Sequence, residues 1–143
     1  MAVHPIPKGF HSITPYFCVS GAARFIDFVT RAFGAIELSR QQHADGTIMN
    51  AELRIGDSIV ELSDAKPGAE PTRMGIHLYV ENMDVVYHTA IRAGAHPVSA
   101  PSYQPYGDQE STLTDPFGNT WYVSTHVEDV TAEEAARRLS QKP

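Results

Sequence analysis

A single cysteine, Cys18, in 143 residues leaves no intramolecular disulfide to form, and the chain reads as one kept in a reducing, cytoplasmic setting. Basic residues are scarce too: 11 Lys+Arg stand against 17 Asp+Glu, for a formal net charge of -6. They are scattered instead of gathered into a run, so no phosphate-tracking surface and no nucleic-acid partner is expected. No segment approaches the roughly 18 uninterrupted apolar residues of a membrane span. Residues 1–11 carry two prolines and a lysine but no apolar stretch of signal-peptide length, so neither a leader nor a membrane partner is expected. What is present is ordinary globular composition, 42% hydrophobic and 20% charged, in a length that suits one domain with its own core.

Local patterns place the elements. Ile13 to Val19 is rich in β-branched and aromatic residues and reads as a strand, after which Ser20 is placed to cap a helix. Across Ala22 to Phe33 the apolar residues Phe25, Phe28, Val29, Ala32 and Phe33 recur at helical spacing, and Gly34 supplies the stop. Strands follow at Ile36 to His43, Thr47 to Ile55 and Ser58 to Ser63, the first two joined by a turn holding the Asp45-Gly46 pair. A Pro/Gly-rich linker then leads to a second series. This runs from a strand at Gly75 to Val80 to a helix from Met83 to Ala93, capped by Asn82 and showing Met83, Val86, Ala90 and Ala93 along one side. His96 to Asp108, with three prolines, reads as one strand and a loop, and Ser111 to Thr114 and Thr120 to Thr125 as the closing strands. Thr131-Ala132-Glu133-Glu134 is a capping box that opens a terminal helix.

The two series repeat each other. Val19 and Val80 are 61 apart, Gly34-Ala35 and Gly94-Ala95 are 60 apart, and Gly56 and Gly118 are 62 apart, each pair in matching context. Such a period marks an internal duplication of a β-α-β-β-β unit. The expected organisation is one domain over residues 1–143: a first module at 11–64, a linker at 65–74, a second module at 75–127, and a C-terminal helix and tail at 128–143.

Because successive strand residues point to opposite faces, each strand yields two sets of side chains. Met49, Ala51, Leu53, Ile55, Val60, Leu62, Ile76, Leu78, Val80, Trp121 and Val123 form an apolar set for packing beneath the helices. The opposite set is polar: Thr14, Tyr16, Cys18, Asn50, Glu52, Arg54, Glu61, Ser63, His77, Tyr79, Thr112, Thr114, Tyr122 and Ser124. A wet outer face accounts for any one of these, whereas the full set reads as the lining of a concave cavity for a small molecule. Candidate lining residues are Tyr16, Asn50, Arg54, Glu61, His77, Tyr79 and Tyr122, with the Tyr103 to Asp108 loop, including Tyr106, as a cover. The planar fork of Arg54 suits an anionic group, and Glu61 is the candidate catalytic residue. Glu52 and Arg54 are placed to pair with each other, while Cys18 lacks an orienting partner and reads as an inert side chain. His126 and Asp129 read as a surface turn ahead of the terminal helix.

The paired units, the Phe33-Gly34-Ala35 and Ala93-Gly94-Ala95 triplets, and the run Asp115-Pro116-Phe117-Gly118-Asn119-Thr120-Trp121 together resemble the vicinal oxygen chelate superfamily of glyoxalases, bleomycin-resistance proteins and dioxygenases. A closer likeness to its PhnB-like branch is carried by Ile13-Thr14-Pro15-Tyr16, Ala51 to Ser58, His77-Leu78-Tyr79-Val80, Tyr106-Gly107-Asp108 and Thr125 to Val130. That resemblance implies an α+β fold in which two βαβββ modules form a curved mixed sheet, a half-open barrel of the glyoxalase/bleomycin resistance/dihydroxybiphenyl dioxygenase type. It also implies a homodimer that covers exposed sheet edges. Metal-dependent members take four ligands, typically His, Glu, His and Glu, from the first and last strands of each module; here those positions fall on Thr14, Glu61, Gly75 and Tyr122. One carboxylate in four is a poor donor set, so no cofactor is expected; a metal at a shifted site would use Glu61 and His77. Some PhnB-like chains bear methyltransferase names, but no Gly-rich strand-to-helix turn here could cradle a nucleotide cofactor. The preferred reading is a metal-free protein that binds a small molecule. The alternative is a metal-dependent glyoxalase- or dioxygenase-type enzyme, a lyase, isomerase or dioxygenase with Glu61 as ligand or base.

Overall fold

The structure, a computed structural model, describes residues 2–141. The chain divides after Met74 into two compact units, and each carries the same sequence of elements. Unit 1 comprises β1 (Tyr16–Val19), α1 (Ala22–Phe33), β2 (Ile36–Gln42), β3 (Ile48–Ile55) and β4 (Ser58–Asp64). Unit 2 comprises β5 (Gly75–Tyr79), α2 (Met83–Arg92), β6 (His96–Tyr103), β7 (Asp108–Thr114), β8 (Thr120–His126) and a terminal helix α3 (Ala132–Ser140). The sheet orders are β1-β4-β3-β2 and β5-β8-β7-β6, so in each unit the first strand pairs in parallel with the last while the remaining pairs are antiparallel. These are two open, mixed four-stranded sheets with helices, an α+β architecture.

The helices form where the periodic apolar residues are. α1 buries Ala22, Phe25, Ile26, Phe28, Val29 and Ala32 and packs on β1, β3 and β4, with the Phe17 and Phe25 rings 4.9 Å apart. Each large side chain so buried stabilises the fold by about 1.5–3 kcal/mol. α2 packs on β6, β7 and β8 through Met83, Tyr87 and Ala90, so Tyr87 takes the buried place where Val86 was expected.

Both helices are tied to the last strand of their unit. Ser20 does not cap α1: the N-cap is Gly21, at φ 87, and has no side chain to offer. Asp64, at the end of β4, instead accepts the Gly21 and Ala22 N–H groups on Oδ1 and that of Ile48 on Oδ2 (3.1, 2.9 and 2.7 Å). In unit 2 the end of β8 does the same, Thr125 Oγ1 accepting from Met83 N and donating to Val80 O, while Asn82 caps α2 from its own position. The Asp115 to Trp121 run is likewise a structural lock. Asp115 accepts from the Phe117 and Asn119 backbone N–H groups, the Asn119 amide and the Trp121 indole, all within 3.0 Å.

Four further expectations need correction. β1 begins at Tyr16, not Ile13, because the parallel ladder starts at Tyr16↔Glu61 and Pro15 has no N–H to donate. Met49 is 48% exposed: the register passes from Gln41↔Asn50 to Gln42↔Ile48, which leaves Met49 as the unpaired residue of a bulge, so Ile48 takes the buried place. The proline-rich stretch is an eight-residue strand, β6, which tolerates Pro97 and Pro101 because it lies at the sheet edge. Beyond it, 104–107 is a tight turn clasped by the C-terminal segment instead of a loose cover. The Gly107 carbonyl accepts from Val127 and Glu128 N–H, and at φ +99 a side chain there would meet the Glu128 carbonyl 2.0 Å away, so only glycine fits. Arg138 completes the clasp by donating to Tyr103, Pro105 and Glu128.

Replacing Asp64 with Ala strands three N–H groups at once, and urea unfolding is expected to show a loss of about 2–3 kcal/mol. A change within about 0.5 kcal/mol, the range of an ordinary surface substitution, would contradict the role given to this carboxylate.

Candidate functional site

In unit 2 the polar side chains of three strands meet in two rows. The register sets Tyr79 beside Ser124 and Ser124 beside Glu110 in one row, and His77 beside Tyr122 and Tyr122 beside Thr112 in the next. Ser124, itself fully buried, donates to Glu110 Oε1 at 3.0 Å and lies 2.9 Å from His77 Nε2. Tyr106 donates to Glu110 Oε2 at 3.0 Å, and burial first, then that bond, pushes its phenol up to about 12. The His77 and Tyr79 rings stack at 4.4 Å and 24°. Tyr79, Tyr106 and Tyr122 stay between 41% and 57% exposed, which is a large aromatic area to leave uncovered.

Behind Tyr79 runs a second chain of bonds. Its hydroxyl donates to Asp108 Oδ2 (2.9 Å), a bond that raises the phenol above its usual range. Asp108 is 1% exposed, and its other oxygen lies 2.7 Å from His126 Nδ1, whose Nε2 lies 2.7 Å from Asp129. Held first by Asp129 and then by Asp108, the imidazole is raised above its usual pKa. His126 and Asp129 are thus more than a surface turn: they hold the one carboxylate that fixes Tyr79.

Unit 1 shows the corresponding face with its acids in the other row. Glu61 is the direct partner of Tyr16 on β1 and of Glu52 on β3, and both glutamates line a cleft of about 380 Å³. Pro5, Pro7, Phe10, His11 and Thr14 form part of its wall. Asn50 is half-buried on β3, and Arg54 is exposed; the expected Glu52–Arg54 pair does not form, and Arg54 makes no ion pair among the described residues. The structure therefore brings Tyr16 together with Glu61 in unit 1, and His77 with Tyr79 and Tyr106 in unit 2, with Tyr122 in the register position next to His77.

Glu110 and Asp108 were not anticipated. Their signal was the alternation Asp108, Glu110, Thr112, Thr114, which continues the polar set back along β7 and was hidden by taking 96–108 for an irregular stretch. As a metal site the residues fit poorly. Thr14, Glu61, Gly75 and Tyr122 supply a hydroxyl, a carboxylate, no side chain and a phenol, and among the described residues no three His, Cys, Asp or Glu side chains converge to hold an ion.

The family model described as the Glyoxalase/Bleomycin resistance protein/Dioxygenase superfamily matches residues 9–123. An uncharacterized protein of Mycobacterium tuberculosis is 34% identical over 142 residues, spanning 92% of this chain and 84% of its own. Among solved structures, TioX from Micromonospora sp. ML1 superposes with a TM-score of 0.70 at 24% identity, covering 82% of this chain and 99% of TioX. A PhnB protein from Bacillus cereus does so at 0.67 and 17%, covering 80% and 99%. At those identities the two structures speak for the fold alone.

A group whose pKa is raised on folding stabilises the protein fully below its unfolded value and loses that contribution as pH rises through the folded one. For His126 the window opens above its ordinary value near 6.5. The melting temperature is expected to fall as pH is raised through that window, and His126→Gln to flatten this part of the profile. Identical profiles for the two proteins would show that the imidazole carries no proton between the aspartates.

Proposed function

The chain belongs to the Glyoxalase/Bleomycin resistance protein/Dioxygenase superfamily, and from that premise we propose that it binds a small molecule on the polar faces of its sheets without a metal ion. One observation carries this reading: the Glu110 network, with Ser124, Tyr106 and the His77–Tyr79 stack, is a connected hydrogen-bonded array on the face opposite the helix. It contributes nothing to the apolar core, and it fixes rotamers that would otherwise move, as a binding surface requires. Unit 1 adds a different element. Arg54 is a fork of donors with no ion pair among the described residues, suited to a carboxylate or phosphonate. In this reading Tyr16 and Asn50 flank the unit 1 face, and His77, Tyr79, Tyr106 and Tyr122 form the unit 2 face.

A second reading, an enzyme with Glu61 as base, is favoured by the cleft that Glu61 shares with Glu52. Two carboxylates set directly across neighbouring strands in one cleft are the residue types that general acid–base chemistry uses. The donor set around Glu61 does not fit a metal, so such an enzyme would work with the carboxylates alone.

Two measurements test the preferred reading. Elemental analysis of protein purified without chelator is expected to find far less than one Zn, Ni, Fe or Mn per chain, and a stoichiometric metal would overturn it. Benzoate, used as a small anion, is expected to shift the NMR signals around Arg54. Arg54→Gln should weaken that binding by about 1–3 kcal/mol, the scale of hydrogen bonds between charged groups. Equal binding by parent and variant would remove Arg54 from the site.

A further inference from the structure

One proton, that of the Ser124 hydroxyl, sets the direction of the hydrogen bonds that join Glu110, Ser124 and His77. Ser124 has a single hydroxyl hydrogen, and it goes to the Glu110 carboxylate at 3.0 Å, the stronger, charge-assisted acceptor. The Ser124 oxygen can then only accept from His77 Nε2, 2.9 Å away, which places the imidazole proton on Nε2. In the neutral ring Nδ1 is left as an acceptor. Tyr106 donates as well, to Glu110 Oε2. An ionised carboxylate offers about four lone-pair directions, so Oε2 retains capacity beyond the tyrosine. The donors of Ser124, His77 and Tyr106 are therefore engaged within this network, which leaves acceptor capacity on Glu110 Oε2 and His77 Nδ1.

Charge points the same way. The strands of the second sheet, β5 to β8, contain no lysine or arginine, whereas Asp108 and Glu110 both stand on this face. An anion would meet the Glu110 carboxylate, with Asp108 buried behind it, and no lysine or arginine from these strands. The exposed rings of Tyr79 and Tyr122 supply flat apolar area next to the acceptors.

We propose that the unit 2 face selects a neutral, hydroxyl-bearing compound, an alcohol or a phenol, which donates its O–H to Glu110 Oε2 or His77 Nδ1 and lays its apolar part on Tyr79 and Tyr122. This rests on the reading that the face binds a small molecule, and it adds the class: a hydrogen-bond donor here, in contrast to the anion that suits Arg54. A ligand with no O–H desolvates His77 Nδ1 and the spare lone pairs of Glu110 Oε2 without replacing their hydrogen bonds to water, and that penalty is the source of the selectivity.

The test uses three probes of one size on the full chain labelled with ¹⁵N: phenol, anisole, which has the same ring with the donor methylated, and benzoate. Phenol is expected to shift the His77, Tyr79 and Tyr122 signals with a Kd about ten- to a hundredfold below that of anisole, and benzoate to leave these signals in place. Glu110→Gln should bring phenol and anisole close together, and unchanged core signals from Leu113 and Val123 would show that the variant is folded. The comparison in the parent protein stands without the variant. If anisole binds as well as phenol, or benzoate binds better here, the donor class is wrong while the face remains a binding site. If none of the three moves these signals, the reading of the face falls and the proposal with it.

Discussion

Everything that positions the polar faces depends on one constraint, the tie between the end of the last strand in each unit and the start of its helix. Asp64 at the end of β4 satisfies the first N–H groups of α1, and Thr125 at the end of β8 satisfies the first of α2. Orphan N–H groups at a helix start are costly to bury, so the helix docks where the strand end is. That docking fixes the parallel register of β1 on β4 and β5 on β8, and a slip of one residue would turn every side chain to the wrong face. Duplication has kept the tie while changing its chemistry, a carboxylate in one unit and a threonine in the other.

Once the register is fixed, period 2 does the rest. Leu62 and Val123 go to the core, and Glu61 and Tyr122 are sent to the opposite face in matching positions. The two units then differ in which row carries the acids. Unit 1 has Glu61 and Glu52 beside Tyr16, while unit 2 has Tyr122 and Thr112 beside His77 and moves its acid to Glu110, one row along. Two faces built on one topology thus offer different chemistry: paired carboxylates with a neighbouring arginine in one, a network of acceptors in the other.

The repeat, the helices and the alternation of Ala51 to Ile55 were legible in the sequence because they rest on local periodicity. The failures were of three physical kinds. Pro97, Pro101 and Pro105 made β6 and the start of β7 look irregular, because edge position, which makes proline tolerable, is not a property of local sequence. Met49 was assigned to the core since nothing nearby announces a bulge that depends on the partner strand. Asp64 as a cap is a contact across 42 residues, beyond any local signal. At the candidate site, Tyr16, Glu61, His77, Tyr79 and Tyr122 could be listed from strand parity, but the part of Glu110 could not, since it arises from the meeting of Ser124, Tyr106 and His77. The Asp115 to Trp121 run, the most recognisable stretch in the chain, is a turn lock and not a site.

Whether unit 2 offers a ligand face organised by Glu110 is decided by a crystal structure with resorcinol, a neutral ring bearing two hydroxyls. The ring is expected on Tyr79 or Tyr122 with one hydroxyl within hydrogen-bond distance of Glu110 Oε2 or His77 Nδ1. Resorcinol bound elsewhere with this face bare, or lying here with both hydroxyls turned away from the two acceptors, would contradict it.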